Sequence, residues 1–423
     1  MNEEIKKYLE KEIPKSYYVR EKVNPQDIII DNSRDELLTD FGKATLKDRY
    51  LLNGESYQEM FVRVSTVFAD NQAHAQRLYD YMSQLWFMPS TPILSGAGKE
   101  KAMPISCFLN SVTDNMEGIV DNYVENVWLS VLGGGIGSNW QNVRSIGEKV
   151  GINGKTSGII PFIGVQDRLS LAISQGNLRS GSAAVFIHIN HPEIQEFLEI
   201  RKPSGDFNRK AINLHHGVCI TDEFMEAVEK DLQFALRSPK TNQVIKYVNA
   251  RDLWQKLLEI RISTGEPYLI FIDSVNNEVA EHHKKLGLTV NSSNLCSEIM
   301  LPNGIDHLGN DRTSVCCLSS VNLEKYYDFK DNDLFLEDIL RFLDNILQFF
   351  IEKAPDAMNK ARYSALRERS IGLGCMGLDS LFQSRMIPFE SVTAKILNKK
   401  IFKDMREQAD KVSKKLAIER GSC

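Results

Sequence analysis

An amide, a thiol and a carboxylate stand at every second position in Asn294-Leu295-Cys296-Ser297-Glu298. In an extended chain successive side chains alternate sides, so these three project together, roughly 7 Å between neighbours. On a helix Cys296 points nearly opposite to the other two. Extended, the set has the parts of a reactive face: the amide orients, the thiol does sulfur chemistry, and the carboxylate takes a proton. The pentapeptide alone fits a polar surface loop around a structural cysteine better, so the other thiols bear on the choice.

Seven cysteines are scattered along 423 residues. Three of them, Cys107, Cys296 and Cys316, lie in or beside short segments that read as strands. A metal site has little support. There is no Cys-x-x-Cys pair, and the eight histidines lack the i, i+4 spacing of a metal-binding helix. The adjacent pairs His215-His216 and His282-His283 read as surface or core residues. A cysteine hydrolase needs a histidine to activate its thiol, and nothing near Cys296 in sequence supplies one. Redox chemistry needs two thiols close in space and a third with another task, and three thiols beside Asn294 and Glu298 fit that need.

The glycine runs invite a nucleotide reading. Gly133 to Gly137 requires a tight turn or a close approach to the backbone. It lacks the strand-to-helix dinucleotide fingerprint, and no phosphate-loop motif occurs in the chain. Arg144 and Arg179 carry forked donors suited to phosphate, with exposed surface arginine the default reading for each.

The elements that must position these residues follow from periodicity. A helical pattern runs from about Ala44 to Trp86 with Tyr57, Met60, Phe61, Val64 and Phe68 on one stripe. Further helices are expected over Met116 to Leu132, Pro161 to Ser174, from His191 to about Ile200, from Asp222, over Leu253 to Thr264, over Leu336 to Ile351, and to about Leu416. Short strands are expected near Ile105 to Leu109, Ala183 to Ile189, Ala211 to Thr221, Tyr268 to Ile272, Ser314 to Asn322 and, buried, Ile371 to Gly374. Residues 145–158 and 175–182 read as mobile loops. Strands alternating with helices, without hairpin signals, favour an α/β fold with parallel pairing, and a barrel is compatible with that.

Composition narrows the function classes. The chain is 42% hydrophobic and 25% charged, with a net charge of −5. That is an ordinary globular balance, with no basic run for nucleic acid and no apolar run long enough for a bilayer. The charged N-terminus lacks a secretory core, so reduced thiols and a cytoplasmic location are expected.

Six segments taken together carry a resemblance. Met88-Pro-Ser-Thr-Pro92, Ile105-Ser-Cys-Phe-Leu109, the glycine run through Asn142-Val-Arg144, Gln175 to Ser182, Asn294 to Glu298 and Val315-Cys-Cys-Leu-Ser-Ser320 stand in an order and approximate spacing. In both, the chain resembles the catalytic large subunit of ribonucleotide reductase, most of all its class I form. The resemblance implies an α/β fold, the N-terminal part of a ten-stranded α/β barrel preceded by a mainly helical region. On that reading residues 1–40 form an arm too short for an ATP-cone, 41–100 the helical region, and 101–423 an incomplete barrel with effector-binding loops.

The same resemblance implies roles. Cys296 matches the thiyl-radical cysteine, Glu298 the carboxylate that takes the 3′-hydroxyl proton, and Asn294 the amide that holds the substrate. Cys107 and Cys316 match the reducing pair, with Cys317 the competing register. Thr91, Ser106, Gly135 and Leu318 match substrate contacts. Asp114, Arg144, Val150, Gly151, Gln175 and Arg179 match the site for a deoxynucleoside triphosphate or ATP effector. Family position 151 is often basic, so glycine there puts a phosphate contact at that point in doubt. No metal site and no directly bound cofactor are implied.

The implied partners are a dimetal, radical-generating small subunit, a thioredoxin- or glutaredoxin-like reductant, a second copy of the chain, and nucleotides, with neither nucleic acid nor membrane. The tyrosine pair and phosphate loop of the later barrel strands are not found after Ile371-Gly-Leu-Gly374. A C-terminal large-subunit fragment is therefore expected to complete the barrel. The rival readings are a catalytically inactive nucleotide-binding regulatory chain, a cobalamin-dependent class II reductase, and an unrelated thiol-dependent module.

Overall fold

The structure is a computed structural model describing residues 3–12, 19–99, 103–152, 154–173 and 181–423. Two compact units share the chain. One, the helical unit, comprises Tyr8–Ser106, Cys316–Ala354 and Ala365–Cys423, and the other, the parallel-sheet unit, Met1–Lys7, Cys107–Val315 and Pro355–Ser364.

The helical unit includes α1 (Asp40–Arg49), α2 (Tyr57–Phe68) and α3 (Gln72–Ser83). The long helical pattern breaks where side chains cap the backbone. Ser56 and Glu59 form a reciprocal capping box at the start of α2, and Asn71 accepts from His74 N at the start of α3. The short strand β1 (Phe87–Pro89) follows.

In the parallel-sheet unit β2 (Cys107–Ser111) leads into α4 (Met116–Val131), β3 (Gly135–Asn139), α5 (Ile160–Ala172), β4 (Ser182–His188), β5 (His215–Ile220) and β6 (Tyr268–Phe271). The five strands are parallel in the order β2-β3-β4-β5-β6. From Ala183 to Ile187 every side chain of β4 is buried, as a sheet covered on both faces requires. Gly133 makes the turn before β3 with φ of 89°.

Three expectations change here. Residues 145–158 contain a small antiparallel hairpin, Lys149–Val150 with Gly154–Lys155. The helix expected from His191 to Ile200 shrinks to Ile194–Phe197. A hairpin pairs Gln233–Arg237 with Val244–Asn249. It escaped detection because its turn is not an Asn-Gly pair; Asn242 supplies the positive φ, 58°.

Back in the helical unit, β7 (Ser314–Asn322) pairs antiparallel with β1 and parallel with β8 (Ile371–Met376). Helices α6 (Phe335–Lys353) and α7 (Val392–Arg420) complete it. The strand expected to be buried around Ile371 is only partly so. Gly372 and Gly374 have no side chain to bury, while Ile371 and Leu373 pack on Leu340, Val412 and Leu416. Among the described residues no helix is long and apolar enough to cross a membrane.

Candidate active site

Cys107 opens β2 and is buried, opposite Gly135 of β3 in the ladder. The segment Asn294 to Glu298 reaches it from elsewhere in the same unit. The extended face expected for that segment is not what forms. Leu295 and Cys296 lie in a turn, Ser297 has φ of 66°, and Ser297 N donates to Asn294 O at 3.2 Å. The cause is the Asn294 side chain. Its Oδ1 accepts from Glu298 N at 3.1 Å and Ile299 N at 3.0 Å, a local bond pattern that competes with extended pairing.

The turn still gathers the expected groups, by a different route. Asn294 Nδ2 points at Cys107 Sγ at 3.3 Å, and Glu298 Oε1 lies 4.0 Å from the same sulfur. Asn294 is fully buried, whereas Cys296, at the tip of the turn, and Glu298 are exposed. An amide and a carboxylate thus converge on one buried thiol, beside a second thiol that remains open to solvent.

A glycine makes this approach possible. A Cβ on Gly137 would lie 1.8 Å from Ser293 O, so the backbone just before Asn294 crosses β3 where no side chain fits. Ser293 Oγ then donates to Ile299 O at 2.8 Å and closes the turn.

Tyr268, at the start of β6, sits within electrostatic reach of Cys296. Burial, Glu266 and Cys296 all push its hydroxyl above the usual tyrosine range. Glu266 itself binds Arg201 at 2.9 Å and His216 Nδ1 at 3.1 Å, and also His215 Nδ1. Burial opposes its ionisation, but the hydrogen bonds from the two histidines prevail and hold the carboxyl below its usual range. Sequence reading missed this cluster, since only the His215-His216 pair marked it.

In the helical unit Cys316 and Leu318 share one face of β7. A Cβ on Gly372 would lie 2.9 Å from Cys316 Sγ and 2.4 Å from a Leu318 methyl. Cys317 is fully buried and points the other way along the strand. Ser106 Oγ is buried without a hydrogen-bond partner among the described residues. Thr91 is exposed, its hydroxyl 3.0 Å from that of Tyr50.

Of the residues expected at an effector site, Asp114 and Arg144 are joined. Arg144 Nε lies 2.9 Å from both Asp114 oxygens, and Nη2 2.8 Å from Oδ2. The hydrogen bond to Asp114 raises the arginine pKa further. Arg144 Nη1 also donates to Lys149 O at 2.8 Å, tying the pair to the exposed hairpin that carries Val150 and Gly151. Gln175 and Arg179 lie outside the described residues. Among the described residues no group of three or more His, Cys, Asp or Glu side chains is placed to hold a metal ion.

Comparison with known proteins gives the family. Residues 105–423 match the family described as "Ribonucleotide reductase, barrel domain", and residues 36–102 the "Ribonucleotide reductase, all-alpha domain". A protein of Frog virus 3 (isolate Goorha) named for the ribonucleoside-diphosphate reductase large subunit is 45% identical over 352 residues, covering 82% of this chain and 60% of that protein. The ribonucleoside-diphosphate reductase large subunit of Invertebrate iridescent virus 3 is 37% identical over 94% of this chain and 70% of its own length. Among solved structures, the Actinobacillus ureae class Id ribonucleotide reductase alpha subunit superposes with a TM-score of 0.79 at 31% identity, covering 93% of this chain and 70% of that one. The chain therefore spans well under the full length of these relatives, and it belongs to the ribonucleotide reductase large-subunit family.

Proposed function

We propose that the chain reduces ribonucleotides to deoxyribonucleotides by thiyl-radical chemistry, as part of a ribonucleotide reductase large subunit. The observation that carries this reading is the convergence of Asn294 and Glu298 on Cys107, at 3.3 Å and 4.0 Å, beside the exposed Cys296. A radical on Cys296 abstracts the 3′ hydrogen of the ribose, and Glu298 takes the 3′-hydroxyl proton. Cys107 and Cys316 then supply two electrons and two protons, one leaving with the 2′-hydroxyl as water and one ending on C2′, and become a disulfide, while Glu298 returns its proton to the 3′-oxygen and Cys296 its hydrogen to C3′. Asn294 holds the substrate, which Thr91, Ser106, Gly135 and Leu318 contact.

The radical comes from a dimetal small subunit. A thioredoxin- or glutaredoxin-like donor re-reduces the thiols. A deoxynucleoside triphosphate or ATP binds at Asp114, Arg144 and the hairpin, with Gln175 and Arg179 in the loop that follows. Exposed Met116, Val120, Val124 and Trp128 form a stripe along α4 that supports pairing with a second copy.

The test combines this chain with the remaining part of a related large subunit, its radical-generating subunit and a dithiol reductant. Deoxynucleotide is expected from the complete mixture and not from one carrying Cys296→Ser. A complete mixture that stays silent overturns the enzymatic reading.

A further inference from the structure

We infer that Asn303 is a positioning residue that fixes the turn carrying Asn294 to the strand carrying Cys107. It lies outside the six segments that carry the family resemblance, and its side chain is buried. Its Nδ2 donates to Asn110 O of β2 at 3.1 Å and to Ser292 Oγ at 2.9 Å. Its Oδ1 accepts from Asn291 N at 3.2 Å, and its backbone oxygen accepts from Asn291 Nδ2 at 2.7 Å. One amide therefore spans from the strand three residues past Cys107 to the segment two to three residues before Asn294.

The chemistry of the position selects asparagine. Two donated bonds and one accepted bond need an uncharged carboxamide of this length. Aspartate keeps the acceptor but loses both donors, and sets a charged oxygen against the Asn110 carbonyl. The anchorage continues on both sides. Asn110 Nδ2 donates to the buried Glu125 of α4 at 3.2 Å, and Glu125 accepts from Thr313 Oγ1 at 2.7 Å. Asn291 O accepts from His188 Nε2 at 3.3 Å. Asn303 is the side chain that ties these two groups together, and the 3.3 Å contact between Asn294 and Cys107 depends on their separation.

This inference rests on the reading of Cys107 as part of the reactive site, but its test does not require turnover. The intact wild-type chain, Asn303→Asp and Asn303→Ala are alkylated with iodoacetamide, and modification of each cysteine is followed by peptide mass spectrometry. Loosening the clamp exposes the buried Cys107, so its modification is expected to be about tenfold or more faster in both variants, in line with the loss of two hydrogen bonds in Asn303→Asp and three in Asn303→Ala. Cys317, fully buried in the other unit, serves as the control for global loosening and is expected to keep its rate. Equal Cys107 rates in folded wild type and variants, or a parallel rise at Cys317, overturns the positioning role. If Asn303→Asp does not fold, Ser292→Ala, which removes one donated bond, carries the same comparison. Failure of the completed enzyme to make deoxynucleotide, with the Cys107 shift present, overturns the functional reading and leaves the clamp standing.

Discussion

Asn294 Nδ2 lies 3.3 Å from Cys107 Sγ although 187 residues separate them in the chain. The same side chain closes its own turn through Oδ1, so one amide both shapes the loop and aims at the thiol. Its two ends can be separated by substitution. Asn294→Asp keeps the accepting oxygen and loses the donor to Cys107, whereas Asn294→Ala loses both. Thermal denaturation is expected to show a loss of about 1–3 kcal/mol for Asn294→Ala, from buried backbone donors left unpaired, and a smaller loss for Asn294→Asp. In the completed enzyme both variants are expected to lose turnover. An active Asn294→Asp enzyme contradicts the assigned role.

The crossing of β3 by the backbone at Ser293 sets a steric prediction. Gly137→Ala places a methyl 1.8 Å from a carbonyl oxygen, and backbone cannot yield as a flexible side chain does. Urea denaturation is expected to show a loss of about 3 kcal/mol or more, or failure to fold. Gly151→Ala is the contrast. It has φ of 59° and no neighbour within 4 Å, so only the conformational cost of about 1 kcal/mol is expected. Equal midpoints for the two variants contradict the close approach.

The Asp114–Arg144 pair makes a prediction about the hairpin and the proposed effector. Arg144→Lys keeps the charge but cannot reproduce the fork that holds Asp114 and Lys149 O together. Amide hydrogen exchange is expected to quicken within residues 149–155. Titration calorimetry is expected to show deoxynucleoside triphosphate binding weakened by about tenfold. Unchanged exchange shows that the fork does not hold the hairpin.

Acid should weaken the parallel-sheet unit through His191. Burial lowers its pKa to about 4, and its Nε2 lies 3.1 Å from Val143 O while Nδ1 accepts from Glu193 N. A second ring proton would break the latter bond. The unfolded chain takes up that proton near pH 6.5 and the folded one only near 4. The stabilisation is therefore complete above pH 6.5 and is lost as pH falls towards 4. A difference of this size corresponds to roughly 3 kcal/mol. Melting temperatures measured from pH 7.5 down to 4.5 are expected to fall more steeply for the wild type than for His191→Gln, which has no proton to gain. Parallel curves rule the histidine out as a source of the slope.

The sequence by itself determined the features whose physical causes are local. The stripe on α2 lies within a few residues, although the Ser56–Glu59 capping box that starts that helix went unread, and the helix Asp222–Glu229 begins where its first residue was expected. The six ordered segments, among them those around Cys107, Asn294 to Glu298 and Cys316, were enough to name the family and the residues to watch. What only the tertiary structure decided is how those residues meet. Alternation along Asn294, Cys296 and Glu298 implied an extended face, but the Asn294 amide satisfies two backbone donors and bends the segment into a turn. Nothing local explains why Gly137 must lack a side chain, since the obstructing carbonyl belongs to Ser293. Asn303 carried no signal at all, because its partners Asn110, Asn291 and Ser292 come into reach only once β2 and the turn are packed together. Local propensity and capping can be read from neighbours in sequence. A side chain's choice among competing hydrogen-bond partners depends on which partners the fold delivers.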